Sequence, residues 1–286
     1  MARQWPRTRT LLALAWLAGA TLPRSVKGQE AEPSSAAPLV IGETFTMPSK
    51  ALGETRRINV WRPPQWAVPS NGALPVLYMP DGGVQEDFQH VAGLLQVLIG
   101  NGGMRPFLLV GIENTQRRRD LTGPTTVESD KKIAPVVGGS AAFRAFIRDE
   151  LKPLIAARYR ITGESGIIGE SLAGLFIVET LVLEPALFDH YLAFDPSLWW
   201  NAEALTSTAT KRLRTLRGAR KQLAVVLSSE PSIVAPAERF RAALAGADTS
   251  VLGWSMSTMP AETHATIYHP AAMATLRAMF APPVSR

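Results

Sequence analysis

Residues 166 to 176 read GIIGESLAGLF: an apolar run of strand type, then G-E-S-L-A-G, then the first turn of an apolar helix. A serine on a sharp turn between strand and helix, with small residues two positions to either side, is the sequence form of a nucleophile elbow. Gly169 and Ala173 are those neighbours, although Ala173 adds a methyl group where the strict pattern has glycine. The string therefore points to Ser171 as an exposed nucleophile on the carboxyl end of a core strand.

Working outward, the flanking segments alternate between strand and helix patterns. Leu74 to Met79 and Pro106 to Ile112 are short, almost continuous apolar runs, as expected of parallel strands covered on both faces. Thr55 to Trp61 alternates polar and apolar residues and stops at Pro63-Pro64, which suits an early antiparallel strand. Gly166 to Gly169, Tyr191 to Phe194, Leu223 to Leu227 and Val251 to Met256 supply four more strands. Helical spacing marks His90 to Ile99 and Ser140 to Tyr159, with further helices near 172–184, 203–217, 234–246 and 270–280. The alternation predicts one α/β domain with a mostly parallel central sheet and helices on both faces.

A serine nucleophile needs a base, and the chain has four histidines. The order Ser, acid, His that accompanies this turn requires the base late in the chain, which favours His264 in the loop string A-E-T-H-A-T over His269 at the start of the last helix. For the acid, Glu230 follows strand Leu223 to Leu227 and is the favoured carboxylate, with Asp195 after the preceding strand as the alternative.

The chain has 286 residues, no cysteine and a formal charge of +6. Five basic residues (Arg3, Arg7, Arg9, Arg24 and Lys27) and no acid fall in residues 1–28, so the remainder carries 25 basic against 24 acidic residues. A nearly neutral chain lacks the basic footprint that nucleic acid requires. Three arginines before the apolar stretch Leu11 to Ala20 read as a secretory leader of residues 1–28, too short to span a bilayer. Residues 29–42 then form a flexible lead-in to a domain at 43–286, and the expected location is periplasmic or secreted. Without cysteine there is neither a disulfide nor a thiolate metal site, and no H-E-x-x-H, close His/Asp cluster or P-loop string occurs. The expected chemistry needs no metal and no cofactor.

The strings V-L-Y-M-P-D-G-G (76–83), V-G-I-E-N-T-Q-R-R-R-D-L-T-G-P (110–124), G-E-S-L-A-G-L-F (169–176), D-P-S-L-W-W-N (195–201) and E-T-H-A (262–265) occur in an order that resembles the enterochelin esterase and esterase D superfamily of α/β-hydrolases. The likeness is strongest to its siderophore esterase-like branch. It implies that Ser171 is the nucleophile and His264 the base. Glu230-Pro231 is similar to a Glu-Pro found in relatives, some of which work with a Ser-His dyad. Ala173 and Asp195 depart from the usual Gly and the frequent Ser.

On that scaffold the oxyanion-hole donors are expected at Leu172 and at Gly82 or Gly83. Trp199 and Trp200 are candidates to stack on an aromatic group, or to serve as a packed lid or core anchor. Arg117, Arg118 and Arg119 are candidates to bind an anionic ester, or form a solvated loop face. The expected function is an exported serine esterase acting on small-molecule carboxylic esters, of siderophore or aryl type, through an acyl-enzyme. The alternatives are acyl transfer on the same fold and a catalytically silent ligand-binding protein.

Overall fold

Eight strands pair in the order β1-β2-β4-β3-β5-β6-β7-β8, in a computed structural model that describes residues 36–283. They are β1 Glu43–Ser49, β2 Glu54–Trp61, β3 Leu74–Pro80, β4 Leu108–Ile112, β5 Ile161–Glu170, β6 His190–Phe194, β7 Lys221–Leu227 and β8 Leu252–Thr258. The β1/β2 and β2/β4 pairs are antiparallel and the other pairs are parallel. The expected leader, residues 1–28, lies outside the described residues.

The helices are α1 Phe88–Gly100, α2 Arg117–Leu121, α3 Glu128–Lys131, α4 Ser140–Phe146, α5 Lys152–Arg158, α6 Leu172–Leu183, α7 Trp200–Arg214, α8 Pro231–Leu244 and α9 Tyr268–Met279. Alternate residues of the inner strands feed two separate cores, because successive side chains point to opposite faces. Val76 and Tyr78 of β3 pack with Phe143, Phe146, Phe176 and Phe240 on one side. Leu77 and Met79 pack with Phe88, Leu95, Ala271 and Leu276 of α1 and α9 on the other. A sheet buried on both faces requires the unbroken apolar runs seen at 74–79 and 108–112. The α/β-hydrolase architecture expected from the sequence is thus present.

Three features were not legible. β1 carries weak alternation yet pairs along its whole length with β2, from Glu43 opposite Val60 to Ser49 opposite Glu54. The single helix read at Ser140 to Tyr159 contains a π-helical turn at Ile147–Leu151, just before Pro153, which has no N–H to continue the regular ladder. The arginine run, read as loop, forms the short helix α2.

The parallel strands end on one edge, and there the backbone is unusual. Asp81, Ser171 and Asp195, which directly follow β3, β5 and β6, all have positive φ, at 56°, 60° and 41°. Such conformations cost energy for a residue with a side chain and persist only where the surroundings enforce them.

Candidate active site

Ser171 is locked into its turn from both sides. Its N–H donates to Phe194 O at 2.9 Å, and its carbonyl accepts from Ser197 N–H at 3.1 Å and from Leu175 N–H at 2.9 Å. Gly169 allows this reversal: a Cβ there would sit 2.7 Å from the Cβ of Ala173. The methyl of Ala173 is therefore accommodated because position 169 has none. Leu172 N–H heads α6, where no intrahelical acceptor exists.

His264 reaches Ser171 from the loop after β8. Ser229, beyond β7, holds that loop through Glu262 O, to which its N–H and its hydroxyl each donate at 3.0 Å. The imidazole Nδ1 lies 3.0 Å from Asp195 Oδ2 and its Nε2 lies 3.1 Å from Ser171 Oγ. A carboxylate can only accept, so Nδ1 carries the proton and the Nε2 lone pair faces the serine hydroxyl. The bond to Asp195, with help from the charges of Glu170 and Glu230, raises the His264 pKa above its ordinary value against the opposing effect of burial.

The carboxylate on the histidine is thus Asp195, which corrects the preference for Glu230. Asp195 is fully buried; its Oδ1 accepts Ser228 N–H at 2.5 Å, and its own N–H donates to Val226 O at 2.9 Å. Glu230 is exposed and starts α8 ahead of Pro231, its carbonyl accepting from Ile233 and Val234 N–H. Proline at the first helical position fixes the residue before it as the cap, and the Glu230 side chain makes no bond to the imidazole. His269 is also elsewhere: its Nδ1 lies 3.0 Å from His90 Nε2, between α9 and α1.

The two glycines expected in the oxyanion hole have their N–H groups engaged. Gly82 N–H donates to Ile112 O at 3.0 Å, extending the β3/β4 ladder, and Gly83 N–H donates to Glu86 Oε2 at 2.7 Å. Gly82 is required for strand packing, since a Cβ would fall 2.3 Å from Gly111 Cα. Of the three expected donors, only Leu172 N–H stands without a competing acceptor of this kind.

The expected substrate contacts divide. Trp200 is buried in the core and donates from Nε1 to Gly123 O at 2.8 Å, so it is an anchor; Trp199 is half-buried against the same core. Arg117 chelates Asp81 with Nε and Nη2 at 2.7 and 2.8 Å. Arg119 pairs with Glu54 and Asp120, in a network completed by the fully buried Arg56. Arg118 is exposed. The run therefore offers no block of unneutralised cations, since two of its three guanidinium groups are held by carboxylates.

Several groups near the ends of the core strands went unnoticed in the sequence. Glu170 immediately precedes Ser171, and burial together with the charges of Asp195 and Asp87 pushes its pKa up to about 7. Asp87 is pushed up to about 6 by burial and by the neighbouring Asp81 and Glu86. Asn114 donates to Asp81 Oδ1 at 2.5 Å and to Glu86 Oε1 at 2.9 Å, tying the β3 and β4 loops together. Only the variable position of G-x-S could have signalled Glu170. Nothing local marks Asp87.

The Esterase family model matches residues 49–229. The chain belongs to this family. It is 30% identical over 176 residues to ferri-bacillibactin esterase BesA of Bacillus subtilis, a match covering 56% of this chain and 59% of that protein. It is also 30% identical over 204 residues to a siderophore triacetylfusarinine C esterase of Aspergillus fumigatus, covering 65% of each. The chain thus spans about three fifths to two thirds of the length of these relatives. The solved structure of an IroE-like serine hydrolase from Shewanella oneidensis is similar at a TM-score of 0.73, with 29% identity over 84% of this chain and 80% of that one. The enterochelin esterase-like resemblance read from the sequence is borne out.

Proposed function

We propose that this chain is a serine esterase whose nucleophile is Ser171, base His264 and orienting carboxylate Asp195. The observation that carries the reading is the unbroken relay from Ser171 Oγ through His264 to Asp195, with separations of 3.1 and 3.0 Å. In the reaction, Ser171 Oγ bonds to the ester carbonyl carbon while its proton passes to His264 Nε2. Asp195 stabilises the imidazolium thus formed, and Leu172 N–H faces the developing oxyanion. Collapse expels the alcohol, which takes the proton from Nε2, and leaves an acyl-enzyme. Water then attacks the acyl carbon, giving its proton to Nε2, and the carboxylic acid departs as Ser171 regains its proton.

The substrate class we favour is a siderophore-type ester, supported by what the similar proteins are named for. Export is proposed as well, on the arginine-rich and apolar pattern of residues 1–28; N-terminal sequencing of protein from the culture medium or periplasm should then begin near Gln29.

Purified protein offered simple aryl, short-acyl and trilactone esters should hydrolyse at least one of them, and Ser171→Ala should remove that turnover while keeping the fold. Hydrolysis that persists in Ser171→Ala, or none by the folded wild type, would reject the proposal.

A further inference from the structure

On the edge of the sheet opposite Ser171, where the parallel strands begin, a cavity of about 740 Å³ opens between α5 and the strand ends. Ser165 on its wall lies six residues before Ser171, roughly 20 Å at the rise of an extended strand. The lining is largely apolar, with Val76 and Tyr78 of β3, Pro153 of α5, Ile161 of β5 and Leu187 ahead of β6.

One cation on this wall has no carboxylate. Lys152, the first residue of α5, lines the cavity with its Nζ 4.8 Å from the ring centre of Phe188 and 5.8 Å from that of Tyr78. It donates to Ser165 Oγ at 3.1 Å and to Leu187 O, so one of the three N–H bonds of an ammonium group has no acceptor within the protein. The acids around it are already paired. Asp189 bonds Lys221 through Oδ1 and accepts Ser165 N–H through Oδ2, both at 3.0 Å. Glu164 is held by Arg105 and His190, and Glu184 by Arg144 and Arg148; among the described residues no ion pair includes Lys152. Burial therefore tells against its charge and brings its pKa down to about 8, in spite of the attraction of Asp189.

An ammonium group partly removed from water calls for an anion, and the rest of the cavity calls for apolar surface. One charge with one N–H to give suits a monoanion, because a dianionic head would bring a surplus charge out of water. A carboxylate on an alkyl or aryl chain joins both features in one molecule. We infer that the cavity beside α5 is a binding site for an apolar monocarboxylate, with the carboxylate on Lys152 Nζ and the chain along Val76, Ile161 and Leu187. The site is independent of the esterase reading, since no member of the relay takes part in it.

Octanoate and octanamide share length and shape and differ in the charge of the head, and octylammonium reverses that charge. In calorimetric titrations octanoate should bind about tenfold more tightly than octanamide, the size expected of a hydrogen bond to a charged group, and octylammonium should bind most weakly. Lys152→Met removes the charge and keeps an unbranched stem, so octanoate should lose its advantage while octanamide keeps its affinity. Ala156→Trp, at an exposed position of α5 on the cavity wall, should weaken both ligands. The wild type gives a separate reading through reductive methylation with formaldehyde and cyanoborohydride followed by peptide mapping. Saturating octanoate should slow modification of Lys152 several-fold and leave the exposed Lys50 and Lys131 unchanged. Should Lys152→Met fail to fold, that measurement decides alone: protection upholds the site and its absence overturns it. Equal affinity for octanoate and octanamide in the wild type, or an octanoate advantage that persists in folded Lys152→Met, would also overturn the inference.

Discussion

An imidazole held between a serine hydroxyl and a buried carboxylate has its tautomer chosen for it, and that choice rests on one residue. Asp195→Asn keeps the shape but offers Nδ1 an amide, so kcat should fall about a thousandfold or more, as expected when the tautomer is lost. Glu230→Gln should stay within about twofold, because an exposed carboxylate acts only through screened charge. Steady-state rates on one activated ester check both. In the proposed mechanism His264 takes the serine proton and must be neutral to do so, and its raised pKa then places the acid limb of kcat/KM above the ordinary histidine value near 6.5. The limb should move down in Asp195→Asn. Stability has the opposite sign: the folded pKa is raised, so the His264–Asp195 contribution is complete below about 6.5 and fades as pH rises through the raised value. At this scale the meeting of Ser171 with His264 was legible, since a strand-turn-helix string and the order of four histidines sufficed to single the two out as a pair. The acid was not, because Glu230 and Asp195 both follow core strands. What separates them is the backbone: Pro231 commits Glu230 to begin α8, whereas a φ of 41° accompanies an Asp195 carboxylate held under Ser228 N–H.

The turn that carries Ser171 is an element with a single spare volume, shared by Gly169 and Ala173. Gly169→Ala should cost about 1–3 kcal/mol in chemical denaturation, as overpacking does, and should lower activity through the displaced serine. Adding Ala173→Gly should restore more than half of that loss, since the two methyls compete for one space and their effects are coupled. Additive effects would mean that the turn has another source of strain. The alternation of strands and helices was readable because burial on both faces leaves no polar positions in β3 or β4. The π-helical turn before Pro153 and the short helix α2 were not readable. In α2 a run of three arginines resembles a solvated loop until Asp81 and Glu54 are seen opposite it and Asp120 beside Arg119 within it.

Across the molecule, the antiparallel flank of the sheet is fastened to the region around α2 by a buried ion network. Arg56 on β2 is fully buried and bonds to Asp120 through Nη1 and Nη2, both at 2.8 Å. Asp120→Ala would leave that guanidinium with Glu54 as its one carboxylate, 2.7 Å from Nη1, at a cost of up to about 3–5 kcal/mol, which urea denaturation should register. Glu54 in the same network is lowered to about 2, chiefly by its bond to Arg119. Its folded pKa is depressed, so its contribution is full above the ordinary carboxylate range near 4.5 and is lost as pH falls toward 2. Pairings so far apart in sequence, like the β1-β2-β4-β3 order of this flank, follow from tertiary contact and leave no local signal. The Ser171–His264–Asp195 arrangement, by contrast, exists only when β5, β6 and the loop carrying His264 are assembled. A serine-directed fluorophosphonate read by intact mass and peptide mapping tests this most directly. One adduct per folded chain should form on the peptide containing Ser171, and it should vanish in Ser171→Ala and in wild-type protein unfolded in urea. Adducts on another residue, or labelling that survives in folded Ser171→Ala, would contradict Ser171 as the nucleophile.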